Sequence, residues 1–313
     1  MKVSVLIPMY NAEKYISATI ENVLKQTWSD LEIIIVDDGS TDNSYTLAKQ
    51  YESEKVHVYK QINKGASAAR NLAFEKSTGE LIQYLDADDF LSFNKIEAQV
   101  QLYTKINDKD AIIASGILLF DGDVMETICI PHRQMSTSYY NKPVDLLIDI
   151  CLEKYIVQSS IWFVHRDLLT RVGGWNEQLT LNDDGEYFFR VVGQSSGVYF
   201  CSKGAVFYRN TPQSLSKQVS QKAIESQLLA TKVMTQVVTG LENSKRARAA
   251  CVNFYMQYIT RFHSDYYNEC ATKEIRRLGF NINTFKKDKL YKVAYSILGQ
   301  KLIKKLSKIY HRG

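Results

Sequence analysis

From Val3 to Leu85 short apolar runs alternate with segments of helical period, and this alternation limits the fold more than any other feature of the sequence. Val3–Pro8, Leu31–Val36, Val56–Tyr59 and Leu81–Leu85 read as strands. Between them, Glu13–Gln26 sets Ile16, Ile20, Val23 and Leu24 on one helical face, and Ser44 to Glu52 and Ala66–Glu75 read as further helices. Short apolar runs bounded by turn residues are strands buried on both faces. Parallel neighbours need a crossover, which a helix supplies, so strand and helix in alternation means βαβ units. Right-handed crossovers then bring the carboxyl end of each strand to one rim, where ligands of open α/β sheets bind. The expected fold class is α/β: a mostly parallel, Rossmann-like sheet with flanking helices, followed by a helical C-terminal extension.

The rim is where the chemistry collects. Strand one runs into Pro8-Met9-Tyr10-Asn11, strand two into Asp37-Asp38-Gly39-Ser40-Thr41-Asp42, and strand three into Asn63-Lys64-Gly65 and Ala69-Arg70-Asn71. Strand four ends in Asp86-Ala87-Asp88-Asp89. Three carboxylates this close repel one another and need a cation, hydrogen bonds or a raised pKa. A hard divalent ion, Mn²⁺ or Mg²⁺, prefers oxygen ligands and can share them with a diphosphate. Each loop has a plainer reading as well: Asp-Gly-Ser and Asn-x-Gly are turn chemistry, and Asp42 or Asp89 can cap a helix. Together, an aromatic face, amide and carboxylate groups, an arginine and an acidic turn are what a nucleotide diphosphate requires.

As a set, these four segments resemble the family 2 inverting glycosyltransferases of the GT-A fold. Their pattern is Pro-x-Tyr-Asn, Val-Asp-Asp-Gly-Ser-x-Asp, Asn-x-Gly-x-x-x-Ala-Arg-Asn and Asp-x-Asp-Asp, and it is met here in that order between Val3 and Asp89. The resemblance implies that Pro8, Tyr10 and Asn11 border the base, with Tyr10 stacking on it, and that Asp38 accepts a hydrogen bond from uracil. It implies that Asn63, Gly65 and Arg70 shape the uridine site, Asp86 lies near the ribose or donor sugar, and Asp88 and Asp89 meet the metal and diphosphate. Further on, Gly173-Gly174-Trp175 precedes Asp183-Asp184, which opens a run of helical period. By resemblance Asp184 is the catalytic base, Asp183 orients it or contacts the acceptor, and Trp175 stands on the acceptor side. Taken without the resemblance, two acids at a helix start can serve as caps favoured by the helix dipole.

Two departures bear on the family reading. In the family's closing Tyr-Arg-x-His-Pro-Gly-Ser loop a histidine often helps hold metal or diphosphate, whereas Tyr208-Arg209-Asn210-Thr211-Pro212-Gln213-Ser214 has Thr211 in its place, leaving Arg209 and Ser214 as phosphate contacts. The Gln-x-x-Arg-Trp motif and membrane helices of processive members are missing, which favours one sugar per encounter. Asp121-Gly122-Asp123 resembles a metal motif in letters alone and reads as a hairpin turn. The Gly-x-Gly-x-x-Gly turn of dinucleotide oxidoreductases does not follow strand one.

Composition limits partners and compartment. Residues 244–313 hold 16 Lys and Arg against 4 Asp and Glu, while residues 1–243 hold 23 against 30. An acidic body with a basic tail is not the usual pattern of a nucleic-acid binder. Within that tail Leu290–Ile309 is amphipathic and lysine-rich, which suits an anionic membrane surface, packing on the catalytic domain, or pairing of copies. Five scattered cysteines without metal-ligand spacing read as ordinary thiols in a reducing compartment. No apolar run reaches membrane-spanning length, and the opening run is too short for a signal peptide.

The expected division is a catalytic domain over 1–215, with a nucleotide-sugar half at 1–104 and an acceptor half at 105–215, then a basic helical extension over 216–313. The expected activity is transfer from a nucleotide-diphosphate sugar, with UDP favoured, to a hydroxyl of a glycan or lipid-linked acceptor in surface polysaccharide or glycan assembly. The expected location is cytoplasmic, at the inner face of the cell membrane if the tail attaches there. The alternative is a nucleotide-sugar-binding protein without transfer activity.

Overall fold

The computed structural model describes residues 1–120, 130–131, 139–152, 158–210, 219–262 and 264–282. The Asp121-Gly122-Asp123 turn, Thr211 to Ser214 and the Leu290–Ile309 segment lie outside the described residues.

The first stretch folds as the alternation requires: β1 (Val3–Met9), α1 (Ile16–Leu24), β2 (Leu31–Asp37), α2 (Ser44–Lys49), β3 (Val56–Lys60), α3 (Ala66–Lys76) and β4 (Leu81–Tyr84). A short β5 (Phe90–Leu91) leads to α4 (Lys95–Ile106), β6 (Ala111–Phe120), β7 (Ile130–Pro131), β8 (Tyr139–Tyr140) and α5 (Pro143–Cys151). Then come β9 (Trp162–His165), α6 (Arg166–Val172), α7 (Asp183–Gly193), β10 (Gly197–Arg209), α8 (Gln221–Leu241), α9 (Lys245–Arg261) and α10 (Asp265–Arg277).

One sheet runs through the molecule in the order β3-β2-β1-β4-β9-β6-β10-β5. Its first four strands are mutually parallel, with Val5 opposite Ile33 on one side and Gln83 on the other. β9 lies antiparallel to both β4 and β6, so β6 and its parallel neighbour β10 again point the same way as β4. The carboxyl ends of β1–β4 and of β10 therefore share the rim, although β9 interrupts the parallel run. The central strands are hydrophobic on both faces because helices cover both; Val5, Ile7, Ile33, Ile35, Ile113 and Phe163 have no exposed surface.

Two local features interrupt the regular elements. Ser159–Ile161 forms a 3₁₀ turn ahead of β9, with Ser159 and Ser160 buried. Tyr208 and Arg209, expected in the closing loop, continue β10, whose register with β6 shifts between Cys201 and Ala205, where the intervening residues bulge out of the ladder.

The C-terminal helices start at serine caps: Ser220 and Ser244 accept hydrogen bonds from the amides of Ala223 and Ala247. α8 packs on α7 and α9 on α5. Ala230, Met234, Val238 and Cys251 belong to the same apolar core as the sheet, while Tyr255, Tyr258, Phe262 and Ile275 form a second cluster among the C-terminal helices. Among the described residues no helix is long and apolar enough to cross a membrane. Cys151, Cys201 and Cys251 are buried free thiols.

Candidate active site

The rim is assembled by hydrogen bonds from one loop to the next. After β1, Asn11 takes a positive φ of 49° and its Oδ1 accepts from the amide of Thr41 at 2.9 Å, while its own amide donates to Ser40 Oγ at 2.9 Å. Asn11 thus ties the β1 and β2 loops together. Its neighbour Tyr10 is left 51% exposed, an aromatic face with nothing stacked on it among the described rings. Pro8 is the penultimate residue of β1, opposite Val36, and sits just below.

Asp38 is 3% exposed. Its Oδ1 accepts from Gln61 Nε2 at 2.7 Å and the Lys64 amide at 2.8 Å, and its Oδ2 from the Gly65 amide at 2.8 Å. The carboxylate therefore shapes the β3–α3 loop, and any base would meet it through capacity left on Oδ2. Gly65 adopts φ 95°, a left-handed conformation that side chains resist, and a Cβ built there would meet no atom within 4 Å. The glycine is needed for the backbone angle, with open space in front. Asn63 is exposed on the same loop.

Arg70 departs from its expected place in the uridine site. It is 7% exposed; its Nη1 donates to Asp183 Oδ2 at 2.8 Å and its Nη2 to Asp86 Oδ1 at 2.9 Å. Its guanidinium also lies 4.5 Å from the ring centre of Trp175. Burial works against its charge, but the two carboxylates outweigh that, and its pKa is raised.

Trp175, expected at the acceptor, is instead a supporting residue. It is 3% exposed, stacked on Tyr187 at 4.2 Å and set edge-on to Tyr84 at 5.1 Å. Its backbone is gripped by Asn71, which accepts from the Trp175 amide at 2.8 Å and donates to its carbonyl at 3.0 Å. An indole has more to gain from this aromatic pocket than from solvent. Gly174 keeps Asn71 close: a Cβ at this glycine would stand 2.9 Å from Asn71 Oδ1.

The acidic turn divides in two. Asp86 and Asp88 keep some exposed surface, but Asp89 has none. Asp89 Oδ1 accepts from the Arg209 amide at 2.9 Å and its Oδ2 from Gln158 Nε2 at 2.5 Å. Both oxygens face the protein interior, so the expectation that Asp89 ligates a metal is corrected: it anchors the turn. Asp88 is pushed up to about 6 by burial and by Asp86 beside it. Arg209 Nε donates to the Asp88 carbonyl at 2.9 Å and its guanidinium packs on the rings of Tyr15, Phe90 and Phe120. Among the described residues no three His, Cys, Asp or Glu side chains are grouped to hold a metal. One available carboxylate fits an ion that draws its other ligands from a diphosphate and water, as Mg²⁺ commonly does.

At the mouth of α7, Asn182 takes a left-handed φ of 59° and turns the chain into the helix, so that Asp183 and Asp184 lie in its first turn. Asp183 Oδ2 also accepts from Ser67 Oγ at 3.2 Å. Asp184 Oδ1 accepts from the Gly185 amide at 2.8 Å. Burial, then repulsion from Asp183, raises the Asp184 carboxyl to about 7, while Arg70 pulls the other way. A carboxylate that exchanges its proton near neutral pH has the property a general base needs.

Of the predicted residues, the structure brings Arg70, Asp86 and Asp183 into direct contact, with Asp184 adjoining. Gln158 and Ser67 were missed, and no motif surrounds Gln158; only its position ahead of β9 brings it under the acidic turn.

Comparison with known proteins follows the same lines. The sequence profile of "Glycosyl transferase family 2" matches residues 4–133. An uncharacterized glycosyltransferase of Rickettsia prowazekii is 30% identical over 198 residues, covering 63% of this chain and 60% of the relative. Glycosyltransferase GlyG of Streptococcus pneumoniae is 41% identical over 117 residues, covering 36% of this chain and 38% of GlyG. The matched region therefore spans less than two thirds of either relative. Among solved structures, S. aureus TarS 1–349 in complex with UDP-GlcNAc superposes with a TM-score of 0.63 at 16% identity, covering 88% of this chain and 85% of TarS 1–349. The profile match places a family 2 glycosyltransferase signature in residues 4–133, and the superposition shows that the chain shares the GT-A fold of TarS.

Proposed function

We propose that the protein transfers a sugar from a UDP-sugar to a hydroxyl of a glycan or lipid-linked acceptor, with inversion at the anomeric carbon. The observation that carries this reading is the Asp86–Arg70–Asp183 bridge, which sets the acid pair of α7 beside the acidic turn of β4. The TarS complexes with UDP-GlcNAc and with UDP support a uridine nucleotide as the donor's carrier.

In this mechanism Tyr10 supplies a stacking face for the base and Asp38, through Oδ2, a hydrogen-bond acceptor. Asp184 takes the proton from the acceptor hydroxyl as that oxygen attacks the anomeric carbon and the bond to the diphosphate breaks. General-base assistance of this kind contributes about 10²–10⁴ in rate. Asp88 is the residue that would hold a Mn²⁺ or Mg²⁺ ion together with the diphosphate; such an ion offsets charge growing on the leaving group. A single displacement converts an α-linked donor into a β-linked product.

The test is thermal unfolding of the chain with UDP, GDP, CDP and dTDP, each with and without Mn²⁺, followed by turnover of a UDP-sugar panel. A ligand at a hundred times its dissociation constant stabilises by about 2.7 kcal/mol. A shift with UDP that needs Mn²⁺, followed by turnover lost in Asp184→Asn, is expected. A shift without turnover favours a nucleotide-sugar-binding protein, and no shift with any nucleotide refutes the donor site.

A further inference from the structure

Arg70 and Asn71 are consecutive residues on α3, yet between them they reach three separate parts of the site. Arg70 bridges Asp86, just past β4, and Asp183, in the first turn of α7. Asn71 holds the backbone of Trp175 on the loop between α6 and α7, and Trp175 presents its ring to the Arg70 guanidinium. The ring in turn rests on Tyr187, one turn after Asp183 on α7. The guanidinium is thus fixed by two carboxylates at its edge and an aromatic ring on its face, which leaves it little freedom to turn. A planar fork can serve two acceptors and a ring at once, whereas the ammonium of lysine cannot reproduce that geometry.

Granting the transferase reading above, we propose that Arg70 is a positioning residue that locks Asp183, and through it the base Asp184, to the donor-side carboxylate Asp86. Donor and acceptor halves of the site are then aligned by a single cation, and Arg70 is a part of the catalytic apparatus distinct from the uridine pocket.

The charges around Asp184 separate this role from mere support of the fold. Asp183 on its own helix and Asp86 from the end of β4 both disfavour its ionised form, and Arg70 from α3 favours it. Removing the cation and removing the neighbouring carboxylate should therefore move the titration of Asp184 in opposite directions, which loss of packing alone does not do. An opposite charge within a few ångströms is typically worth about 1–3 pKa units.

The experiment is the pH profile of kcat at saturating UDP-sugar and Mn²⁺ for the full chain and for Arg70→Gln, Arg70→Lys, Asp183→Asn and the Arg70→Gln/Asp183→Asn pair. In Arg70→Gln the acid limb should move up by about one unit or more. In Asp183→Asn it should move down, and in the pair it should return toward the wild-type position. Arg70→Lys should leave the limb near its wild-type place and lower kcat roughly 10- to 100-fold, the cost of misplacing the base. Acid limbs that stay together, or move the same way in Arg70→Gln and Asp183→Asn, overturn the inference while the transferase reading stands. A wild-type chain that turns over no UDP-sugar overturns that reading and the positioning role with it. If Arg70→Gln does not fold, Asp183→Asn and Arg70→Lys still support or overturn the role through the sign of the limb shift and the loss in kcat.

Discussion

Replacing Asp184 with asparagine should make the protein more stable at pH 8 and leave it almost unchanged at pH 4. The carboxyl ordinarily titrates near 3.9 when exposed in an unfolded chain. In the fold, burial and Asp183 hold it at about 7. Between those values the unfolded chain has lost the proton and the folded chain has kept it, so the folded state binds more protons and stability falls as pH rises. The cost is absent below about pH 4 and complete above about pH 7; about three units at 1.36 kcal/mol each give an upper figure of about 4 kcal/mol. Asparagine has no such charge to bury, and its Oδ1 can still accept from the Gly185 amide that Asp184 binds at 2.8 Å. For a chain of this size about 1 kcal/mol corresponds to roughly 2 °C. Thermal unfolding of both proteins from pH 4 to pH 8 should show their midpoints diverging by several degrees across that window, the variant higher. In UDP-sugar turnover the same variant should lose about 10²-fold or more. Midpoint differences that stay constant with pH would refute the claim that the fold strains this carboxylate to keep it reactive.

Further outcomes follow from other contacts. Asp88→Ala should abolish the Mn²⁺-dependent part of the thermal shift with UDP, and, because burial and Asp86 hold its carboxyl up at about 6, it should raise the unliganded midpoint at pH 8 but not at pH 4, while its backbone carbonyl still accepts from Arg209. Tyr10→Ala, at a residue 51% exposed, should leave unfolding unchanged and weaken UDP binding by about 1–3 kcal/mol in calorimetry. Gln158→Leu removes the donor to the buried Asp89 Oδ2 and should destabilise by about 1–3 kcal/mol, read as a drop of several degrees in the unfolding midpoint. Gly65→Ala forces a side chain into φ 95° and should cost about 1–2 kcal/mol in the same assay, although no neighbour crowds its Cβ.

The rim was legible in the letters. Apolar runs at regular intervals left the first four strands no arrangement but a parallel βαβ sheet, and that topology carries Tyr10, Asp38, Gly65 and Asp86 to one edge before any contact is known. The strand–helix period and the turn chemistry are local, so they are written in neighbouring letters. The direction of individual side chains is not. Whether Trp175 faces an acceptor or the core depended on Tyr84, Tyr187 and Asn71, which approach it from three different elements. Whether Asp89 was a ligand or an anchor depended on Gln158 and on the last residue of β10, Arg209, 69 and 120 residues away. These answers came with the folded chain, because burial and charge pairing are properties of what the fold brings alongside. Arg70 shows the difference most directly: the letters placed it among residues of the donor site, and its ion pairs with Asp86 and Asp183 make it the bridge between the acidic turn and the start of α7.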